Sequence, residues 1–164
     1  MNFLLDTNVF IEAKNRYYAF DICPGFWDWM DTACGEKVAS IVNLRDELTR
    51  GDDELSAWAH DRKDADWFLK VDDGETQVNF GEIASHISSG QYTTQAVAKF
   101  LDDADPWLIA KARSMGATVV THELPSPNSK RRVLIPDVCN AFDVKYINMF
   151  DALRGFSTQF TWSA

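Results

Sequence analysis

The spacing of apolar residues changes several times along the 164-residue chain, and each change marks an element. Phe3-Leu4-Leu5 is an apolar run that ends at the polar cluster Asp6-Thr7-Asn8, after which Val9 to Lys14 has the pattern of a starting helix. A strand that delivers a polar cluster to a helix N-terminus is a common arrangement in α/β proteins. Pro24-Gly25 opens an aromatic helical segment over Phe26 to Met30. Lys37 to Val42 is short and rich in β-branched residues, which predicts a second strand. Asn43 to Arg50 predicts a helix closed by Gly51 at the C′ position. Residues 52–75 are the most acidic stretch, and Leu55, Trp58 and Ala59 at helical spacing predict a solvated helix with connecting loops.

From Thr76 the helical period is clear, with Phe80, Ile83, Ala84 and Ile87 on one face before Ser88-Ser89-Gly90. A further helix carries Val97, Phe100 and Leu101. Another starts at Asp105-Pro106, with Asp as the cap and Pro at the first helical position, and stops at Gly116. Its Leu108, Ala112 and Met115 share a face. Ala117 to Thr121 predicts the clearest strand. After a loop with Pro125 and Pro127 come Lys130-Arg131-Arg132, a short strand at Val133-Leu134-Ile135 and a helix beginning at Pro136-Asp137. Lys145-Tyr146-Ile147 and Met149–Leu153 predict a last strand and helix. Strands alternate with helices, and no hairpin signal occurs before residue 122. That pattern predicts one α/β domain over residues 1–164, its mostly parallel sheet covered on both faces.

Composition narrows the function classes. The longest apolar runs, Tyr17–Phe20 and Trp107–Ala110, have four residues, whereas a membrane span needs about 20. The N-terminus has no charged n-region before its short apolar run, so no signal peptide is expected. Cys23, Cys34 and Cys139 form no C-x-x-C pair and leave an odd count, which speaks for a reducing cytoplasm. With scattered His60, His86 and His122 they make no zinc motif. Sixteen Lys+Arg against 25 Asp+Glu give a net charge of −9, a balance opposed to a simple nucleic-acid binder. A site for divalent cations, which gathers carboxylates, would account for part of the excess.

Ligands of parallel sheets collect outside the carboxyl ends of the strands. Four acids belong there: Asp6 at the end of the first strand, Glu47 in the helix after the second, Asp105 at a helix start, and Glu123 just past the Val119-Val120 strand. Brought together they would repel one another unless cations neutralise them, and hard oxygen ligands suit Mg²⁺ or Mn²⁺. Each acid also has an ordinary reading. Asp6 and Asp105 are candidate helix caps, Glu47 stands three residues from Arg50, and Glu123 is a loop acid.

Four segments in order are more specific than any single acid. They are Phe3-Leu4-Leu5-Asp6-Thr7-Asn8-Val9-Phe10-Ile11, Asn43-Leu44-Arg45-Asp46-Glu47-Leu48, Asp105-Pro106-Trp107-Leu108-Ile109-Ala110-Lys111-Ala112 and Val119-Val120-Thr121-His122-Glu123. In them the chain resembles the PIN-domain family of metal-dependent, VapC-like ribonucleases, with Tyr17-Tyr18 and Cys23-Pro24-Gly25-Phe26-Trp27 similar to a less characterised subgroup. The resemblance implies an α/β/α sandwich and a Mg²⁺/Mn²⁺ site of Asp6, Glu47, Asp105 and the acid after Thr121. Many members carry Asp at that last position; this chain has Glu123, one methylene longer, while Asp102, Asp103 and Asp137 compete without matching the motif. It further implies hydrolysis of RNA phosphodiesters, with Asn8 and Thr121 orienting ligands or water. Chains of this size resemble the toxins of type II toxin–antitoxin pairs, which implies homodimerisation and a small inhibitory partner.

Lys14, Arg16 and Lys130-Arg131-Arg132 are the expected holders of the RNA backbone, and Tyr17 and Tyr18 are candidates either for base stacking or for core packing. Two other classes stand beside the ribonuclease. One is a phosphatase phosphorylated on Asp6, although Asn8 occupies the position where such enzymes want a second acid. The other is a PIN-like RNA-binding or scaffold domain without catalysis.

Overall fold

The computed structural model describes residues 2–163. Along the chain the elements are β1 (Phe3–Leu5), α1 (Thr7–Asn15), α2 (Pro24–Ala33), β2 (Val38–Ile41), α3 (Val42–Thr49), α4 (Glu54–Asp61) and β3 (Phe68–Leu69). There follow α5 (Gly74–Ser88), α6 (Thr94–Asp102), α7 (Asp105–Met115), β4 (Thr118–Val120), α8 (Ile135–Ala141), β5 (Tyr146–Ile147) and α9 (Met149–Gly155). The five strands form one sheet in the order β3-β2-β1-β4-β5, and every pairing is parallel. Leu4 stands in register with Ala39 on one side and Val119 on the other. Helices cover both faces, giving the expected α/β/α sandwich.

Burial follows the apolar pattern. β1, β2 and β4 are short and nearly all apolar, as parallel strands covered on both faces must be. The hydroxyl of Ser40, fully buried in β2, donates to the Leu5 carbonyl at 2.8 Å and so enters the core satisfied. α7 supplies buried Leu108, Ile109, Ala110 and Ala112 against β1, β2 and β4, and α5, α6 and α8 gather on it. Elsewhere α1, α3 and α4 pack together around aromatic residues, with Trp58 ringed by Phe10 and Trp27 at 5.8 and 5.1 Å. α7 ends at Gly116, whose φ of +65° is the left-handed cap position that glycine adopts without strain.

Three expectations need correction. Val133-Leu134-Ile135 is not a strand: residues 133–134 carry no ladder and Ile135 is the first residue of α8, with Pro136 in its first turn. Val133 and Ile135 are buried, which gives the alternation of a strand, but β5 already occupies the free edge of β4. The acidic stretch 52–75 contains β3 as well as α4, with Phe68 beside Ser40 of β2. Gly51 does follow α3, but not in a left-handed conformation; a Cβ there would strike the Ser56 side chain.

Candidate active site

The order of the sheet reverses between β1 and β4, because chain progress from β1 runs toward β2 on one side and resumes at β4 on the other. In open parallel sheets the crevice beyond the carboxyl ends at such a point is where ligands bind. Asp6 follows β1 and Thr121 follows β4, so both stand at this crevice. The Thr121 hydroxyl donates to Asp6 Oδ2 at 2.9 Å and accepts from the Glu123 amide at 3.1 Å. Asp6 is 1% exposed and, although it precedes α1, its side chain makes no capping bond. Its orientation is set by the Thr121 hydroxyl that follows β4.

α3 brings up Glu47, whose two oxygens accept from Thr7 Oγ1 at 2.8 Å and from the Ala104 amide at 2.7 Å. Glu47 thereby ties α3 to the starts of α1 and α7. The alternative pairing with Arg50 is absent among the described residues. α7 starts at Asp105 itself, after a helical Ala104, and Asp105 makes no capping hydrogen bond. This corrects the expectation that it is the cap. Glu123 accepts from Arg132 Nη2 at 2.9 Å and from the Ile135 amide at 2.8 Å.

These groups line one cavity of about 330 Å³, which contains Asp6, Asn8, Glu47, Asp105 and Glu123 together with Arg131 and Arg132. Thr7, Arg50, Lys99 and Asp103 also line it. Burial pushes the Asp6 carboxyl up to about 7, reinforced by the charge of Glu123, while the Thr121 hydroxyl and the first amides of α1 pull it back. Asp105 is pushed up to about 8, first by burial and then by the charges of Asp6, Glu123 and Glu47. Among the described residues no Lys, Arg or His pairs with Asp6 or Asp105. Among the described residues no group of three His, Cys, Asp or Glu side chains is set to hold one ion. Two unneutralised acids beside open space nevertheless fit Mg²⁺ or Mn²⁺, because Mg²⁺ usually keeps several waters and takes only one or two carboxylates with substrate phosphates.

Other sequence-predicted residues lie elsewhere. Lys14 is held by Asp53 at 2.5 Å and Arg16 by Glu12 at 2.6 Å, and neither lines the acidic cavity. Lys130 does not line it either, and its carbonyl accepts from the Thr93 amide at 2.9 Å. Asp137 accepts from the Ser126 amide, and Asp102 is exposed. Tyr18 stacks on Phe26 with centroids 4.5 Å apart, which is packing. Tyr17 is 70% exposed and borders a separate cavity of about 200 Å³ with His122 and Phe150. The spacing of Lys99 to Asp103, an i,i+4 ion pair just before Asp105, was the signal available for Lys99.

A parallel α/β/α sandwich with an acid-lined cavity at its switch point defines an α/β protein of PIN-like fold. The chain belongs to the family described as "Domain of unknown function (DUF4411)", whose model matches residues 3–160. Among solved structures it is similar to FitAcB from Neisseria gonorrhoeae, at 20% identity over 89% of this chain and 96% of that one, with a TM-score of 0.53. FitAB bound to an IR36 DNA fragment is similar at 20% identity over 89% and 94%, with a TM-score of 0.52. VapBC2 from Rickettsia felis, bound to a DNA fragment from their promoter, is similar at 14% identity over 90% and 98%, with a TM-score of 0.53. No curated protein matches the chain. Among the described residues no helix is long and apolar enough to cross a membrane.

Proposed function

We propose that this chain is a Mg²⁺- or Mn²⁺-dependent endoribonuclease, the toxin of a type II toxin–antitoxin pair, acting as one domain over residues 1–164. The observation that carries this reading is the pair Asp6 and Asp105. Both are carboxylates with raised pKa in one cavity at the switch point, and no protein cation pairs with either among the described residues. Burying charge without a partner is costly, so an arrangement of this kind is expected where an ion binds.

Asp6 and Asp105 would hold the cation, and Glu47 keeps the starts of α1 and α7 together so that the two acids face the same space. Thr121 fixes the Asp6 carboxylate, and Asn8 is near enough to the cavity to orient water or substrate. A bound divalent cation would supply positive charge to the phosphodiester oxygens and lower the pKa of attacking water. Arg131 and Arg132 lie on the same cavity wall and would bind the RNA backbone. The partners that go with this reading are an RNA substrate, a small antitoxin and a second copy of the chain.

Purified wild type and Asp6→Asn are incubated with a mixed RNA pool in Mn²⁺ or in EDTA. Cleavage is expected from wild type in Mn²⁺ alone. Equal cleavage by both proteins, or cleavage that survives EDTA, would overturn the mechanism, and no cleavage at all would favour a non-catalytic RNA-binding domain.

A further inference from the structure

The segment between β4 and α8 has no regular secondary structure, yet it is fastened along its length. Ser126 donates its amide to Asp137 at 3.0 Å, the Ser129 carbonyl accepts from Gln91 Nε2 at 3.0 Å, and the Lys130 carbonyl accepts from the Thr93 amide. Glu123 is the fastening nearest the acidic cavity. One of its oxygens takes Arg132 and the other takes the Ile135 amide, and its side chain is 9% exposed while that of Arg132 is 65% exposed. Both carboxylate oxygens are thus engaged and its charge is answered by a guanidinium. Asp6 and Asp105, in the same cavity, have no guanidinium or other cation paired with them among the described residues.

The reach matters. An aspartate at 123 is shorter by one C–C bond and would set its carboxylate that much farther from Arg132 and the first amide of α8. The consequence falls on the neighbouring residue. Arg131 lines the cavity and makes no ion pair among the described residues, and the same is true of Arg50 from the end of α3. Guanidinium groups left unpaired beside an acid-lined cavity are suited to bidentate binding of phosphate oxygens.

We infer that Glu123 is a positioning residue and not a metal ligand: by holding Arg132 and Ile135 it fixes the basic segment on the cavity rim, where Arg131, with Arg50, binds the phosphodiester backbone of RNA. The inference rests on the ribonuclease reading for the identity of the ligand. It assigns the acid after Thr121 to substrate binding, leaving the cation to Asp6 and Asp105.

Charge alone and positioning predict opposite signs for one substitution. Glu123→Ala removes a negative charge beside the cavity, so charge alone predicts tighter RNA binding. Positioning predicts weaker binding, because Arg132 and the Ile135 amide lose their common anchor. Glu123→Gln keeps the length but offers one acceptor oxygen to two donors, so it retains a single anchor and serves as a partial rescue and as the control for misfolding. A short fluorescent single-stranded RNA is titrated by anisotropy in EDTA, and Mn²⁺ alone is titrated by calorimetry, for wild type and both variants. Glu123→Ala is expected to lose about tenfold in RNA affinity with Mn²⁺ affinity held, and Glu123→Gln to lose less RNA affinity than Glu123→Ala with Mn²⁺ affinity likewise held. A loss of about tenfold in Mn²⁺ affinity by Glu123→Gln would overturn the inference, as would RNA binding by Glu123→Ala at or above the wild-type level, or a wild type that binds no RNA. Absence of Mn²⁺ binding by wild type instead overturns the metal-dependent reading, while the RNA titrations still test the role of Glu123.

Discussion

Asp6 and Asp105 carry a penalty that depends on pH, and its sign is fixed. Both carboxyls are raised, to about 7 and about 8, above the range of an unfolded chain. Between roughly pH 4 and pH 8 the folded protein therefore binds more protons than the unfolded one, and its stability falls as pH rises through that window. Without metal, the melting temperature is expected to be lower at about pH 8 than at about pH 5.5, with added Mn²⁺ reducing the difference. A metal-free protein equally stable at both would contradict this. Asp6→Asn keeps an acceptor for Thr121 and removes the charge, so it is expected to melt a few degrees higher than wild type in EDTA at about pH 8. Asp53 and Asp73 behave oppositely. Lys14 and the Ser56 amide hold Asp53 down to about 2, and Lys111 with Thr76 holds Asp73 lower still, so their stabilisation fades as pH falls through the usual carboxylate range toward those lower values. The place of Asp6 was legible from the sequence because it needs only a strand end followed by a helix. The pairing of Glu47 with Thr7 and Ala104 was not, since it joins residues 40 and 57 positions apart.

The helices and the central strands follow from periodicity because each has an apolar face long enough to register. β3 escaped because its two residues, Phe68 and Leu69, are too few to display alternation and sit in an acidic stretch. The 133–135 segment misled for the complementary reason: burial of Val133 and Ile135 copies a strand's alternation where no partner strand stands among the described residues. Cations at helix ends, Arg50 after α3 and Lys99 in the last turn of α6, read as surface charge until the fold brings those ends to the cavity beyond β1. Lys14 illustrates the reverse. It lies close to Asp6 in sequence, but α1 carries it away to Asp53, the cap of α4. Lys14→Ala is accordingly expected to leave RNA affinity unchanged while Arg131→Ala weakens it, and anisotropy titrations that gave the reverse order would return Lys14 to the substrate path. Asp53 accepts from the amide and the hydroxyl of Ser56. Asp53→Ala is expected to cost about 1 kcal/mol, read as a lower urea midpoint with unchanged slope.

Across the whole molecule the net charge of −9 divides by location. A few acids converge at the switch point between β1 and β4, and much of the remainder lies on the exposed segments around α4 and the start of α5. The parallel order β3-β2-β1-β4-β5 is what makes the convergence possible, since it delivers the ends of β1 and β4 and the starts of α1 and α7 to one crevice. The alternation of strands and helices already implied that kind of sheet, whereas the strand order, and with it the identity of the cations beside the acids, required the tertiary structure. The central claim is that Asp6 and Asp105 form a cation site, and calorimetric titration with Mn²⁺ near neutral pH, in buffers of different ionisation enthalpy, tests it most directly. Wild type is expected to bind Mn²⁺ and release protons, because carboxyls raised to about 7 and about 8 must ionise to take the ion, and Asp6→Asn and Asp105→Asn are each expected to lose the heat. No heat from wild type, or the same heat and proton release from both variants, would contradict it.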